Sequence, residues 1–191
     1  MSLKILRTAA AVEKSDEFNE ARLLLLLLAA TGRGENPQPL EGALKLAKMD
    51  FLLRYPNVLE RALRALGQDN PRARQAAANI PEEDRDTIEA RMIRFRYGPY
   101  DLRYPRWLSI LVAKQLAYVY SHRNTVKMCL TTQGKSVAET LAQTPEFKPL
   151  AERAESVRMA VGDMPPQKVT DFIYQIAPEL KGMKWGEPIV L

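Results

Sequence analysis

Hydrophobic positions change their period several times along this chain of 191 residues, and each change marks an element. Residues 23–28 are six consecutive leucines, followed by Ala29 and Ala30 and stopped by Thr31-Gly32. A helix that is apolar all round belongs at the centre of a core. Helix one is therefore predicted from Asp16 or Glu17 to Thr31, with Gly32 and Gly34 as stop signals. A membrane span needs about twenty apolar residues, and this stretch has eight. It follows Glu17 and Glu20 and does not start the chain, so it is not a signal-peptide core either. Residues 1 to about 16 form a short extension of mixed character, weakly helix-compatible over residues 9–12.

Residues 35–39 read as a loop with two prolines. Leu40, Leu44, Ala47 and Phe51 then share one helical face, which predicts a second helix from near Leu40 with Lys45 and Lys48 pointing elsewhere. Tyr55-Pro56 breaks it, because a residue before proline is pushed out of the helical region. Val58, Leu59, Ala62, Leu63 and Leu66 make another helix, ended by Gly67. Residues 68–89 are polar, with Arg72 and Arg74 and then an acidic patch at Glu82, Glu83, Asp84 and Asp86. They read as a connector, part of it helix-compatible. Over residues 91–97 the period falls to two. Ile93, Phe95 and Tyr97 alternate with Arg94 and Arg96, which predicts a strand with one apolar and one cationic face, ended by Gly98-Pro99. Residues 106–116 return to helix, with Trp107, Leu108, Leu111, Val112 and Leu116 in a stripe.

The next stretch is the most legible. Tyr118-Val119-Tyr120 is an aromatic and β-branched run, and Ser121-His122-Arg123-Asn124 is turn-like. Residues 125–130 alternate, with Val126, Met128 and Leu130 on one face and Thr125, Lys127 and Cys129 on the other, as in a half-buried hairpin strand. Thr131-Thr132-Gln133-Gly134 caps a helix holding Val137, Ala138 and Leu141 on one side. A helix, a hairpin and a new helix start in this order look like the wing of a winged-helix domain.

Two further stripes follow. Phe147, Leu150, Ala151, Ala154, Val157 and Val161 form one; Val169, Phe172, Ile173, Ile176 and Leu180 form the other, with Gly162 and Pro165-Pro166 between. Residues 182–191 hold two glycines and a proline beside Met183, Trp185, Ile189, Val190 and Leu191. An apolar extended tail is costly in water, so it either packs on its own domain or serves as a docking arm for a partner. The predicted fold class is mainly α with a small β-hairpin wing: a winged-helix-like core with additional N- and C-terminal helices. Residues 1–67 form an N-terminal helical part and 68–90 the polar connector. Residues 91–144 form the winged-helix part, with the wing at 117–130, and 145–191 hold the C-terminal helices and the tail.

The hydrophobic fraction is 46%, enough for a real core. A net charge of +5 is mildly basic and suits nucleic acid or an acidic protein surface. The single cysteine, Cys129, permits no internal disulfide, which suits a reducing cytoplasm. Little points to catalysis. His122 is the one histidine and sits at the wing tip, so a dyad with Cys129 would need both on one face of the hairpin. The spacing for a metal site, a calcium loop or a phosphate-cradling glycine loop is lacking. No cofactor is expected.

Binding is better supported. Arg91, Arg94, Arg96, Arg103 and Arg106 fall within sixteen residues, opposed mainly by Asp101 and interleaved with Tyr97, Tyr100 and Tyr104. Arginine pairs with phosphate or carboxylate bidentately and stacks on aromatics. His122, Arg123 and Lys127 decorate the wing, and Lys45 and Lys48 would line a groove-entering helix. The expected contacts are DNA backbone or a partner protein; the alternative is a solvated basic face whose arginines pair with local acids.

The stretch Pro39-Leu40-Glu41-Gly42-Ala43-Leu44-Lys45-Leu46-Ala47-Lys48-Met49-Asp50-Phe51-Leu52-Leu53-Arg54-Tyr55-Pro56 resembles a signature of the middle components of bacterial three-component ABC-ATPase defence systems. Met92-Ile93-Arg94-Phe95-Arg96-Tyr97-Gly98-Pro99-Tyr100-Asp101, followed by a helix and a wing, resembles the second motif of the same family. The likeness is closest to the middle subunit of Lamassu-type anti-phage systems. With the wing it covers about half of the chain, and its motifs describe a fold and a surface rather than a catalytic site. It implies a non-enzymatic accessory subunit beside an SMC-like ABC ATPase and an effector, commonly a nuclease. The subunit would scaffold the complex and restrain the effector until foreign DNA is sensed. The rival expectation is a stand-alone, dimeric transcription regulator with a MarR-like or PadR-like wing.

Overall fold

A computed structural model describes residues 15–32, 38–68, 70–82 and 91–191. The extension before residue 15, the Gly34 stop signal and Glu83, Asp84 and Asp86 of the acidic patch lie outside the described residues. The leucine run forms α1 (Asp16–Thr31), whose Ser15 side chain caps the first turn by accepting from Phe18 N. Leu23 to Leu28 are all buried, because α1 is enclosed by helices and by the wing sheet. Each leucine taken from water contributes about 1.5–3 kcal/mol, so this helix anchors the core.

Leu40–Glu41 is not the start of a helix. It is a short strand, β1, paired antiparallel with the wing at Leu40↔Met128 and Glu41↔Lys127. Helix α2 (Ala43–Arg54) begins after Gly42, whose N–H donates to Val126 O at 2.8 Å. Two residues are too few to display a strand period, so the wing, which lies far along the chain, decides their state. α2 is buried from Lys45 through Arg54. Its lysines therefore do not face solvent as the one-sided pattern suggested. α3 (Pro56–Leu66) follows with proline in its first turn. Within the polar connector an ordered helix, α4 (Pro71–Ala78), is capped by Asn70 and buries Ala73 and Ala77.

The expected single strand over residues 91–97 is a hairpin of β2 (Ile93–Phe95) and β3 (Gly98–Tyr100), so Gly98-Pro99 opens the return strand instead of ending the element. Its faces are inverted relative to the pattern. Arg94 is buried, while Phe95 and Tyr97 are exposed. The reason is that Arg94 finds partners inside: its Nε donates to Leu180 O at 2.9 Å and its guanidinium lies over the Tyr174 ring. Phe95 meanwhile packs on Tyr100 at the surface.

α5 (Tyr104–Ala113) begins earlier than the stripe implied and ends before Leu116. Trp107 and Leu111 point inward, but Val112 is exposed. The wing follows within its expected limits: β4 (Ala117–His122) pairs with β5 (Thr125–Leu130) from Ala117↔Leu130 to His122↔Thr125. Arg123 and Asn124 both have positive φ, 47° and 62°, as a two-residue hairpin turn with matched twist requires. The sheet order is β1-β5-β4.

α6 (Thr132–Gln143) starts with the Thr131 hydroxyl accepting from Gly134 N at 2.9 Å. Gly134 is required there, since a Cβ would lie 1.7 Å from Leu116 O. α7 (Lys148–Val161) and α8 (Pro166–Ile176) bury the predicted stripes, and a 3₁₀ turn at Pro178–Lys181 buries Leu180. The chain is thus mainly α, with eight α-helices and a β wing among the described residues. None of the described helices is long and apolar enough to cross a membrane.

The apolar tail docks on its own domain. Ile189 is fully buried. Its N–H donates to Met92 O, and its carbonyl accepts from the Tyr55 hydroxyl. Pro188 bridges Ile93 beside β2. Ile189→Ala is expected to cost about 2–5 kcal/mol, and deletion of residues 185–191 at least as much, measured by urea unfolding. An unchanged midpoint in both would show that the segment contributes nothing to this core.

Candidate functional site

The cations proposed for DNA or partner contact divide into three groups. Lys45, Lys48 and Arg94 are buried, which removes them from any solvent-facing contact surface. Lys45 donates from Nζ to Gly162 O at 2.6 Å, and burial pushes its ammonium below the usual lysine range. The second group is paired with acids within the chain. Arg103 bonds Asp101 through Nε and Nη2, and Arg106 bonds Asp16. Lys127 bonds Glu41 at 2.7 Å, and that hydrogen bond raises the lysine and lowers the carboxyl. Lys114, which the sequence reading did not single out, bonds Glu20. The third group is Arg96, His122 and Arg123. Arg96 lies over the Tyr97 ring, and the other two are exposed at the wing tip. In the tail, Trp185 and Val190 are exposed, Leu191 is half-buried and Ile189 is in the core.

The wing cannot build a Cys-His pair. Cys129 faces Tyr118 and His122 faces Thr125, so four residues of strand, about 13 Å, separate them. Among the described residues no cluster of His, Cys, Asp or Glu could hold a metal ion.

The strongest electrostatic feature is one the sequence reading missed. Asp50, fully buried in α2, accepts from Arg22 Nε of α1 at 2.9 Å, from Arg54 Nε at 2.9 Å and from the Tyr104 hydroxyl of α5 at 2.6 Å. Arg54 Nη1 continues to Asp101 at 2.9 Å. Arg22, Arg54 and Arg103 all lie over the Trp107 ring, whose indole N–H donates to Asp16. Burial alone would push the Asp50 carboxyl up. The charges of Arg22 and Arg54, then hydrogen bonds from Arg54 and Tyr104, outweigh it and hold Asp50 at about 2. Burial and the Asp50 charge drive the Tyr104 hydroxyl well above its usual range. Asp50, Arg22, Arg54 and Tyr104 are sealed from solvent while Arg103 and Asp16 form a partly exposed edge, and the cluster acts as a lock between three helices. The only local sequence signal is the i, i+4 spacing of Asp50 and Arg54. Arg22 beside the leucine run gives no indication of its partner.

Several apolar side chains are exposed on α5 and the wing. The wing follows directly from α5. The outer face of α5 carries Pro105, Arg106, Ser109, Val112 and Ala113. Beside it, β4 exposes Tyr118 (46%) and Tyr120 (42%), with rings stacked 6.0 Å apart. Val119 and Val126 are exposed on the other face. Compared with family models, curated proteins and solved structures, the chain has no significant match in any of the three.

The Asp50 lock makes two expected outcomes. Asp50→Ala would leave two buried guanidiniums without their carboxylate and destabilise by about 3–5 kcal/mol, read from urea midpoints at pH 7. Because the folded-state value lies below the unfolded one, this stabilisation is present above about pH 4 and is lost as pH falls toward 2. It amounts to about 2 kcal/mol. An Asp50→Ala protein whose stability fell with acid as steeply as the wild type would place the acid sensitivity elsewhere.

Proposed function

We propose that this chain is a non-enzymatic scaffold subunit that works by protein contact through the outer face of α5 and the wing. The observation that carries the reading is the chemistry of that face. A winged helix that reads DNA presents base-contacting arginine, lysine, asparagine or glutamine from the helix beside the wing. α5 offers proline, serine, valine and alanine, and its Arg106 is paired with Asp16. The stacked, exposed Tyr118 and Tyr120 match the aromatic enrichment of protein interfaces. The motifs over residues 39–56 and 92–101 suggest the setting: a complex with an SMC-like ABC ATPase and an effector such as a nuclease. In that setting the subunit bridges the two and restrains the effector until foreign DNA is sensed. Arg96, His122 and Arg123 leave room for weak, non-specific DNA contact at the edge of the assembly.

The test is a tagged pull-down from the native operon at physiological salt, with the wild type beside a Val112→Glu, Tyr120→Glu double variant. The wild type is expected to retain a large coiled-coil ATPase and an effector. The variant, with an unchanged melting temperature, is expected to bind at least about 30-fold more weakly, as for loss of one interface hot spot. Recovery of the wild type alone as a homodimer would overturn this reading in favour of a stand-alone regulator, whose operator would have half-sites about one helical turn apart.

A further inference from the structure

Three buried cations keep donors unmade among the described residues: Arg22 at both Nη atoms, although its Nε is paired with Asp50, and Lys48 and Arg94, which have no carboxylate at all. Lys48 of α2 is fully buried, and its Nζ makes no hydrogen bond. Arg94 of β2 uses Nε on Leu180 O, but its Nη1 is buried and unpaired. No carboxylate pairs with either side chain among the described residues. Burial and then the neighbouring Arg94 charge push the Lys48 ammonium down to about 8, so at neutral pH it is still mostly charged. An ammonium has three donors, and a buried charge without a counter-charge is costly.

The two groups surround a common space. The Arg94 guanidinium lies over the Tyr174 ring, 5.4 Å from its centroid. Gly98 of β3 faces the same place. A Cβ there would stand 3.5 Å from Lys48 Cε, 3.7 Å from its Nζ and 3.9 Å from the Tyr174 hydroxyl, with nothing nearer. The glycine, held at φ +111°, brings the backbone close beside the ammonium, where a Cβ would sit in ordinary van der Waals contact. The Lys48 ammonium and the Tyr174 hydroxyl flank that position, Arg94 stacked on the Tyr174 ring carries a further unpaired donor, and no carboxylate of the described residues pairs with either cation.

We propose that the space bounded by Lys48, Arg94, Tyr174 and Gly98 is a binding site for one small oxyanion. A doubly charged hydrogen phosphate would balance both cations and accept from several donors at once, whereas a carboxylate would balance one. The ligand is a small free oxyanion, because Lys48 is fully buried and beyond the reach of a partner's side chain. Residues 180–187 lie over Arg94, since Leu180 O and Glu187 O accept its Nε and backbone N–H. This segment would have to shift for an ion to enter. This inference is independent of the surface on α5 and the wing.

The full chain titrated with sodium phosphate, against sodium chloride at matched ionic strength, tests it by calorimetry and thermal melts. Saturable binding is expected, with a melting temperature about 3 °C higher at several times the dissociation constant. Lys48→Met keeps the packing volume and removes an unpaired charge, so it should melt no lower than wild type in chloride and lose the phosphate response. Tyr174→Phe, which removes only the hydroxyl, should weaken binding several-fold. Acetate acting in place of phosphate, with the same loss in Lys48→Met, would support the site and identify a carboxylate as its ligand. No saturable binding of phosphate, sulfate or acetate, or equal binding by wild type and Lys48→Met, would overturn the proposal.

Discussion

One carboxylate ties together the helices on which the rest of the molecule is built. Asp50 accepts hydrogen bonds from α1, from its own helix α2 and from α5. Around it the leucines of α1 and the sequence from Leu46 to Leu53 of α2 supply a dry interior. Within such an interior a lone charge is heavily penalised, and a paired one must have its geometry right. Arg54 meets that condition through Nε and Nη2 to Asp50, Arg22 bonds Asp50 through Nε alone, and both guanidiniums lie over the Trp107 ring. Once these groups are fixed, α5 has a fixed attitude. The wing that follows it, pinned by β1 and by the close approach of Gly134 to Leu116 O, has one too.

This arrangement has a consequence for the surface. Four cations near α5 and the wing are matched within the chain: Arg103 with Asp101, Arg106 with Asp16, Lys114 with Glu20, Lys127 with Glu41. Paired cations at the base of α5 hold the helix to α1 and are poorly placed to release counterions from a phosphate backbone. The side chains left outward on α5 and β4 are small, aliphatic or aromatic. A net charge of +5 therefore overstates how basic the α5 and wing face is.

Several elements could be read directly from the residues. The leucine helix, the Tyr55-Pro56 break, the wing with its limits and the Thr131 cap all have local causes, namely period, proline and a side-chain oxygen at the right position. The errors have one cause in common. β1 is helical in pattern, but the partner strand lies more than eighty residues away in sequence. The faces of β2 are inverted because Arg94 finds a carbonyl and a ring in α8 and the turn after it. Lys45 and Lys48 look exposed on a helical wheel, and only the packing of other elements around α2 buries them. The Asp50 lock joins residues 22, 50, 54 and 104, and nothing in the local pattern brings those positions together. The tail was open between docking at home and docking abroad; the hydrogen bonds of Ile189 place it at home.

The central claim is that most candidate cations are either buried or paired with acids of the chain, and that the exposed α5 and wing face meets protein rather than DNA. The salt dependence of binding to random duplex DNA measures this most directly, because the slope of log affinity against log salt counts phosphate contacts at about 0.9 each. With only Arg96, Arg123 and His122 free to contribute among the candidates, the slope should be no steeper than about −2, and the affinity weak. A slope of about −5 or steeper would mean that the paired arginines and lysines turn to the phosphates, and would contradict the account.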